Sequence, residues 1–306
     1  EGVGCVVFDE FHERHLDGDL ALALARRVQL EAREDLRIVV LSATIDPGPV
    51  AAFLGDAAVL ESEGRLFPVE TLHQPARGRE PLEEQVVRAV EDVVGRLASG
   101  SEDVGDMGRD SLVFLPGVGE IRRCAEALAG TAARHGLELQ QLYGDLDAKQ
   151  QDAVLAERPA GAPRRIVLAT NLAESSVTLH GIGAVIDSGL MRQPRLDAGV
   201  GIDRLELVRI PMESVRQRAG RAGRTGPGLN LRLWSPLEER GAREGIEPEV
   251  ARVDLSGAWL SLLDFGEPDP AAFAWFERPP EATAELASEL LAALGAVDGE
   301  PGAWRL

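Results

Sequence analysis

Two adjacent carboxylates, Asp9 and Glu10, close a short apolar run, Val6-Val7-Phe8, and His12, Glu13 and Arg14 follow one turn later in the stretch CVVFDEFHERHLDGD. An acidic pair just past the carboxyl end of a buried strand stands where open α/β sheets bind their ligands. In nucleotide hydrolases the first acid of such a pair holds Mg2+, usually through water, and the second orients the attacking water. Taken alone, the two residues also read as a strand end capped by solvent. The triplet Ser42-Ala43-Thr44, which closes the next apolar run at 36–41, weighs against that plainer reading.

A second candidate lies far downstream. The stretch QRAGRAGR, from Gln217 to Arg224, places Arg218, Arg221 and Arg224 three residues apart. Separations of three, and of seven between Gln217 and Arg224, bring side chains to one helical face or to the turn leading into it. The intervening Ala and Gly residues let the backbone approach a partner closely. Three stacked cations repel one another unless an anion sits among them. Either an exposed helix pairs with Asp or Glu, or the set faces a phosphate as arginine fingers do; the second reading fits the acidic pair better.

These residues sit in an acidic chain of 306 residues with a formal net charge of −19. That balance argues against a sequence-independent grip on nucleic acid and confines any such contact to a local basic groove. Lys149 is the single lysine, so the other basic residues are arginines, whose planar fork suits bidentate phosphate contacts. No apolar run approaches the roughly 18 residues that span a membrane, and no signal peptide opens the chain. Cys5 and Cys124, far apart, outline neither a disulfide framework nor a metal site, and the compartment reads as reducing and cytoplasmic. His12, His15, His73, His135 and His180 are scattered, which gives a metal cage little support.

The elements that must position the candidates alternate. A strand is expected at Val3–Phe8, a helix at Asp19–Glu31 with Leu20, Leu24 and Val28 on one face, and a strand at Leu36–Leu41. Continuous apolar runs between helices mark parallel strands buried on both faces. Gly64–Leu82, punctuated by Pro and Gly, reads as a domain-crossing linker. A second series follows: a helix at Leu82–Leu97, a polar loop at Ser99–Asp110, a strand at Ser111–Pro116 and a helix carrying Ile121, Ala125 and Leu128. Further strands are expected at Leu137–Leu142, Arg165–Ala169 and Ala184–Asp187, with a helix near Asp147–Leu155. This is a doubly wound pattern, and two such sheets in tandem form a cleft suited to a ligand. Met191–Ile210 reads as a hairpin around Gly199-Val200-Gly201, and helices separated by Pro-rich turns follow Trp234.

The stretches FDEFHER, LSAT, VFLPGVGEI, LATNLAESSVTLHGI, VIDSG and QRAGRAGRTGPG occur in the order of motifs II to VI of the DEAH-box RNA helicases, which the chain resembles over nearly its whole length. The wording is closest to the bacterial HrpB-type branch. The resemblance implies an α/β fold of two RecA-like parallel-sheet domains that clamp ATP, or another NTP, with Mg2+ and bind single-stranded RNA. A small helical winged-helix-like domain follows, although a plain helical packing domain reads the same from residues. The implied boundaries are 1–68, 69–235 and 236–306. By resemblance, Asp9 and Glu10 are the Mg2+ and water residues, and His12 reaches toward the second domain. Ser42 and Thr44 couple nucleotide state to the domain interface. Thr170, Asn171 and Thr178 lie along nucleic acid or the cleft wall, and Gln217, Arg221 and Arg224 face the γ-phosphate. Arg218, in the neighbouring slot, is expected on helical geometry to point away from it toward acidic residues of its own domain. Leu190 stands where many relatives stack an aromatic on the base. Glu174 reads as a residue that orders its loop. The hairpin acts in the family as a wedge near the strand junction, although an ordinary surface hairpin has the same sequence pattern.

One part of the motor pattern is missing from these residues. A P-loop, G-x-x-x-x-G-K-[ST], needs a lysine, and Lys149 is preceded by Asp147-Ala148. The expectation is therefore a helicase piece that begins partway through its first motor domain. A non-catalytic nucleic-acid-binding remnant is the alternative, and a DNA-directed helicase is a second one, since no motif reads a 2′-hydroxyl.

Overall fold

The computed structural model describes residues 2–62, 64, 67–98, 110–159, 161–175, 177–300 and 302–306. In chain order the first elements are β1 (Cys5–Phe8), α1 (Leu16–Glu31), β2 (Arg37–Val40), α2 (Pro47–Phe53), β3 (Val69–His73) and α3 (Leu82–Ala98). Next come β4 (Asp110–Phe114), α4 (Val118–His135), β5 (Glu138–Leu142), α5 (Ala148–Leu155), β6 (Arg165–Ala169) and β7 (Ile182–Asp187). The remainder are β8 (Leu190–Asp197), β9 (Ile202–Arg209), α6 (Met212–Gly220), β10 (Gly228–Arg232), α7 (Pro236–Glu239), α8 (Ser256–Asp264) and α9 (Glu281–Ala293). Most of the loop expected at Ser99–Asp110 lies outside the described residues; Asp110 itself opens β4.

The chain divides into two compact units, the first comprising residues 1–62, 193–206 and 246–306, the second 63–192 and 207–245. The second unit holds a six-stranded, all-parallel sheet in the order β3-β10-β7-β4-β6-β5. Successive residues point to opposite faces of a strand. Val113, Ile166, Leu168, Ala184 and Ile186 thus pack with α3 and α4 on one face, through Val86, Val90, Ile121 and Leu128. Leu112, Phe114, Val167, Ala169 and Val185 pack on the other with Val154 of α5 and Ala222. Burial of each such side chain stabilises the sheet by about 1.5–3 kcal/mol. Local signals agree: Asp147 and Gln150 form a capping box on α5, with bonds of 2.8 and 3.3 Å.

The stretch expected to be a linker contains β3. Val69–His73 pairs in parallel with β10, Val69 opposite Gly228 and His73 opposite Arg232. The Pro and Gly residues that signal a crossing flank the strand rather than interrupt it, and an edge strand needs only one paired side.

In the first unit β1 and β2 pair in parallel, Phe8 opposite Val40. Val6, Phe8, Ile38 and Val40 are half-buried, with Phe8, Ile38 and Val40 set against Phe11, Leu22 and Val50, while Val7 and Val39 are exposed. The expected burial on both faces therefore holds for the six-stranded sheet and not for this pair, whose packing partners among the described residues lie on one side. The opposite face of α1 uses Leu20 and Ala23 against Trp259, Leu262, Ala287 and Leu291 of α8 and α9. The helices expected after Trp234 are present, and Asp298 and Arg305 form an isolated bridge beyond them. The expected hairpin is β8–β9.

Candidate nucleotide and nucleic-acid site

The acidic pair is held in an unusual backbone. Asp9 is exposed directly after β1, and its Oδ1 accepts the Glu10 N–H at 2.8 Å. Glu10 adopts a left-handed conformation, φ 48° and ψ 36°, and Arg14 does the same at φ 52°. Non-glycine residues in this region cost roughly 1–3 kcal/mol each and persist only where their surroundings impose them. The surroundings here are specific. The Phe11 N–H donates to the Leu41 carbonyl (3.1 Å), the Leu41 N–H to Phe8 (2.7 Å) and the Glu13 N–H back to Glu10 (2.9 Å). Phe11 is buried with its ring 5.4 Å from that of Phe276. These bonds lace the acidic turn to the end of β2, where Ser42 and Thr44 are exposed and Ser42 Oγ accepts the Ile45 N–H at 3.2 Å.

His12 is 2% exposed, with Nδ1 3.4 Å from the Glu10 carboxylate, and neither ring nitrogen has a hydrogen-bond partner among the described residues. Among the described residues no three His, Cys, Asp or Glu side chains converge as a metal cage. The adjacent carboxylates Asp9 and Glu10 are hard oxygen donors of the kind that suits Mg2+, an ion that keeps several of its waters.

The arginine stretch is the end of α6 and the 3-10 turn Arg221–Gly223. Its members do not form one stack. Arg218 is buried, with Nε 2.8 Å from Glu174, a terminal nitrogen 3.0 Å from Asp187, and its guanidinium 4.7 Å over the Phe114 ring. The anions its spacing called for are the protein's own. Burial pushes the Asp187 carboxyl above the usual range, and Arg218 pulls against it. Arg221 is buried and donates to the carbonyls of Val177, at 2.5 Å, and Glu174. Arg224 is exposed and has no ion pair among the described residues; Gln217 is half-buried. Glu174 thus ties its loop to both arginines, through its carboxylate and its carbonyl.

Thr170 follows β6, its N–H bonded to the Leu142 carbonyl at 3.2 Å, and Asn171 and Thr178 are exposed nearby in sequence. Leu190 opens β8, half-buried, and its carbonyl lies 3.4 Å from an Arg218 nitrogen. Its placement depends on Gly189, whose φ is +71° and where an added Cβ would come 2.7 Å from the Trp234 ring. Both features exclude a side chain. Trp234 is fixed in turn, its Nε1 donating to Glu239 (2.9 Å) and its carbonyl facing His73 Nδ1 (2.9 Å).

Sequence reasoning passed over Asp187, Trp234, Glu249 and Arg252. Asp187 carried a signal, a carboxylate closing the apolar run Ala184–Ile186. The others carried none.

His15 pairs with Glu13 at 2.7 Å and Glu249 at 3.3 Å, and these carboxylates hold its imidazole up to about 10, from 6.5 ordinarily. Arg252, 3.2 Å from Glu249, is the other charge on that carboxylate. The folded-state value is raised, so the contribution to stability is complete below pH 6.5 and is lost as pH rises through about 10. His15→Gln is expected to lower the melting temperature at pH 6 and to leave it unchanged above that upper value. The side chain is 60% exposed, and solvent screening keeps the effect small. A difference that grows with pH would contradict the pairing.

A profile of the helicase conserved C-terminal domain matches residues 97–226. The ATP-dependent RNA helicase HrpB of Escherichia coli is 42% identical over 98% of this chain and 36% of its own length. The ATP-dependent RNA helicase HrpA of the same organism is 35% identical over 98% of this chain and 22% of its own. The probable ATP-dependent RNA helicase DHX34 of Homo sapiens is 35% identical over 96% and 26%. The crystal structure of Escherichia coli DEAH/RHA helicase HrpB superposes with a TM-score of 0.88 at 40% identity, covering 99% of this chain and 37% of that one. The chain spans between 22% and 36% of the length of these three relatives.

Proposed function

This chain belongs to the DEAH-box helicase family, and on that premise we propose that it serves an NTP-dependent motor that translocates on and unwinds RNA. The domain division proposed for it is 1–68, 69–235 and 236–306, the last of winged-helix type. The observation that carries the reading is the position of the candidate residues. Asp9, Ser42, Thr170 and Leu190 each follow the carboxyl end of a strand in a parallel sheet, β1, β2, β6 and β7 respectively. Ligands of open α/β sheets bind beyond those ends.

In this reading Asp9 and Glu10 hold hydrated Mg2+ and orient water, and Ser42 and Thr44 answer to nucleotide state. The exposed Arg224 and the carbonyl-anchored Arg221, with Gln217, face the γ-phosphate. Bound Mg2+ supplies charge neutralisation on the phosphates. His12, beside the Glu10 carboxylate at 3.4 Å, answers to the second domain. Thr170, Asn171 and Thr178 contact the nucleic-acid backbone in a local basic groove. A cytoplasmic location suits two free cysteines, one of them, Cys124, with burial pushing its thiol up to about 12. No helix among the described residues is long and apolar enough to cross a membrane.

Binding of a fluorescent poly(U) strand, followed by anisotropy, tests the RNA assignment. Thr170→Ala, Asn171→Ala and Thr178→Ala are each expected to weaken it; an unchanged affinity in all three overturns the contact set. Equal binding of the matching deoxy strand favours the DNA-directed alternative.

Nucleotide choice follows from Leu190. An aliphatic side chain contacts a base without reading its hydrogen-bonding edge. In a version of the protein that carries a P-loop upstream, GTP, CTP and UTP are expected to be used nearly as well as ATP. Leu190→Phe is expected to tighten all four by adding a ring that stacks. A preference for ATP of about tenfold or more in kcat/KM, worth about 1.4 kcal/mol, would point to another residue that reads the base.

A further inference from the structure

The strained acidic turn and the hairpin strand β8 are far apart in sequence, yet one short 3-10 turn, Glu249–Ala251, holds both. On the acidic side, the Glu249 N–H donates to the Arg14 carbonyl (3.0 Å), and the Leu16 N–H donates to Glu249 Oε2 (2.9 Å). Glu249 Oε1 faces His15 Nδ1 at 3.3 Å and an Arg252 nitrogen at 3.2 Å. On the hairpin side, Arg252 donates to the Pro194 carbonyl (2.6 Å), and its own carbonyl accepts the Leu196 N–H (2.6 Å). A single buried residue therefore takes the place of a neighbouring strand along β8. Arg252 is braced from behind by the Glu247 carbonyl at 3.1 Å, and Glu247 pairs with Arg195 of β8 at 2.5 Å.

The acidic side is itself a bracketed unit. Arg14, left-handed at φ 52°, grips Asp19 at 3.1 and 2.7 Å and Glu277 at 2.8 Å, and lies 4.8 Å over the Phe276 ring. Phe276 in turn packs on Phe11, whose N–H fixes the turn to Leu41. Nothing in the path from Leu41 through Phe11, Arg14, Glu249 and Arg252 to Pro194 is longer than an ordinary hydrogen bond or ring contact. All of it lies within the first compact unit.

We propose that Glu249 and Arg252 are positioning residues that make the acidic turn and the β8 arm of the hairpin move as one body. A change of state at Asp9 and Glu10 would then be felt at β8, and a load on β8 would be felt at the turn. Neither residue touches the reacting atoms. The functional weight of the link rests on the nucleotide and RNA reading above; its existence does not, because it can be measured on the chain without a ligand.

Amide hydrogen exchange on the 306-residue chain provides that measurement. Coupling requires a contiguous element that both ends bias, and local opening is reported amide by amide. Arg252→Gln is expected to speed exchange at Leu196 and also at Phe11, Arg14 and Leu16, by about tenfold or more at each. Arg204→Gln breaks an ion pair internal to the hairpin, with Asp197 at 2.9 Å, and is expected to alter the hairpin amides alone. His15→Gln and Arg252→Gln should be non-additive at Phe11, since connected residues couple and independent ones do not. If Arg252→Gln is too unstable to fold, Arg252→Lys keeps the charge and loses the fork, and a smaller change with the same distribution is expected. Exchange confined to residues 194–196 and 247–254, or strict additivity at Phe11, overturns the proposal.

Turnover of a P-loop-bearing version separates this link from the helicase reading. With Arg252→Gln, the RNA concentration for half-maximal stimulation should rise several-fold while the NTP KM stays fixed. Unstimulated, negligible turnover in the unsubstituted protein, with coupled exchange intact, removes the helicase reading and leaves the link standing. Unchanged RNA dependence together with confined exchange removes the link alone.

Discussion

The 306-residue chain, purified by itself, is expected to hydrolyse ATP no faster than the uncatalysed background, with or without RNA. Phosphate binding in motors of this kind rests on a glycine-rich loop whose N–H groups cradle the α/β-phosphates and on a lysine that reaches the β- and γ-phosphates. Lys149, the single lysine, sits in the first turn of α5 beside a capping box that uses Asp147 and Gln150. That turn is a helix start closed by its own side chain, without the glycines that open a phosphate cradle. In the proposed reading Asp9, Glu10, Arg221 and Arg224 orient water and meet developing charge, but they act on a nucleotide that must already be held. A version that carries a P-loop sequence upstream of Glu1 is expected to show RNA-stimulated turnover. Steady-state phosphate release from the two proteins, at matched concentrations and saturating RNA, decides the matter. Comparable RNA-stimulated rates would mean that a phosphate cradle exists in these residues without a lysine.

Much of this was legible in the residues because each signal had a short-range cause. The buried runs Ser111–Phe114, Arg165–Ala169 and Ala184–Asp187 are long, apolar and flanked by helices, and their strand ends lie within two residues of expectation. The motifs at those ends named the family. What stayed hidden depends on distant partners. β3 reads as polar linker because exposed Glu70 and Thr71 separate its two half-buried apolar residues, Val69 and Leu72, and β10 buries Asn230 amid its leucines. Neither forms a run until the other lies beside it. Helical geometry already turned Arg218 toward acidic residues of its own domain; only the identity of those partners, Glu174 and Asp187, 44 and 31 residues away, stayed out of reach. The acidic turn is polar in sequence apart from Phe11, and its left-handed Glu10 is set by the contacts of Phe11 with Leu41 and Phe276. The burial of α1 against α8 and α9 likewise joins segments more than 200 residues apart, beyond any periodicity a local reading can use.

Alanine substitutions at the three arginines are expected to separate them into different kinds of residue. Arg224 is exposed with no ion pair among the described residues, and Arg221 is aimed by two backbone carbonyls that fix its plane. If both meet transition-state charge, Arg→Ala at either position lowers kcat by roughly 10³-fold or more in a P-loop-bearing version. The NTP KM should move far less, because the charge they answer develops only as the bond breaks. Arg→Lys should rescue poorly, since an ammonium cannot reproduce a planar fork. Arg218 behaves differently. Its guanidinium lies among Glu174, Asp187 and Phe114, and its removal leaves two buried carboxylates without their cation. Breaking a buried pair in this way costs about 3–5 kcal/mol, so Arg218→Ala should appear in the denaturation midpoint before it appears in turnover. Asp187, already pushed up by burial, would then take a proton at higher pH than in the unsubstituted protein. Steady-state kinetics at saturating RNA, paired with urea denaturation of each variant, distinguishes the roles. If Arg218→Ala remains as stable as the parent and loses as much kcat as the other two, its guanidinium reaches the nucleotide and the internal assignment fails. If Arg221→Ala and Arg224→Ala raise only KM, both bind the ground state, and the arginine-finger roles fall with that result.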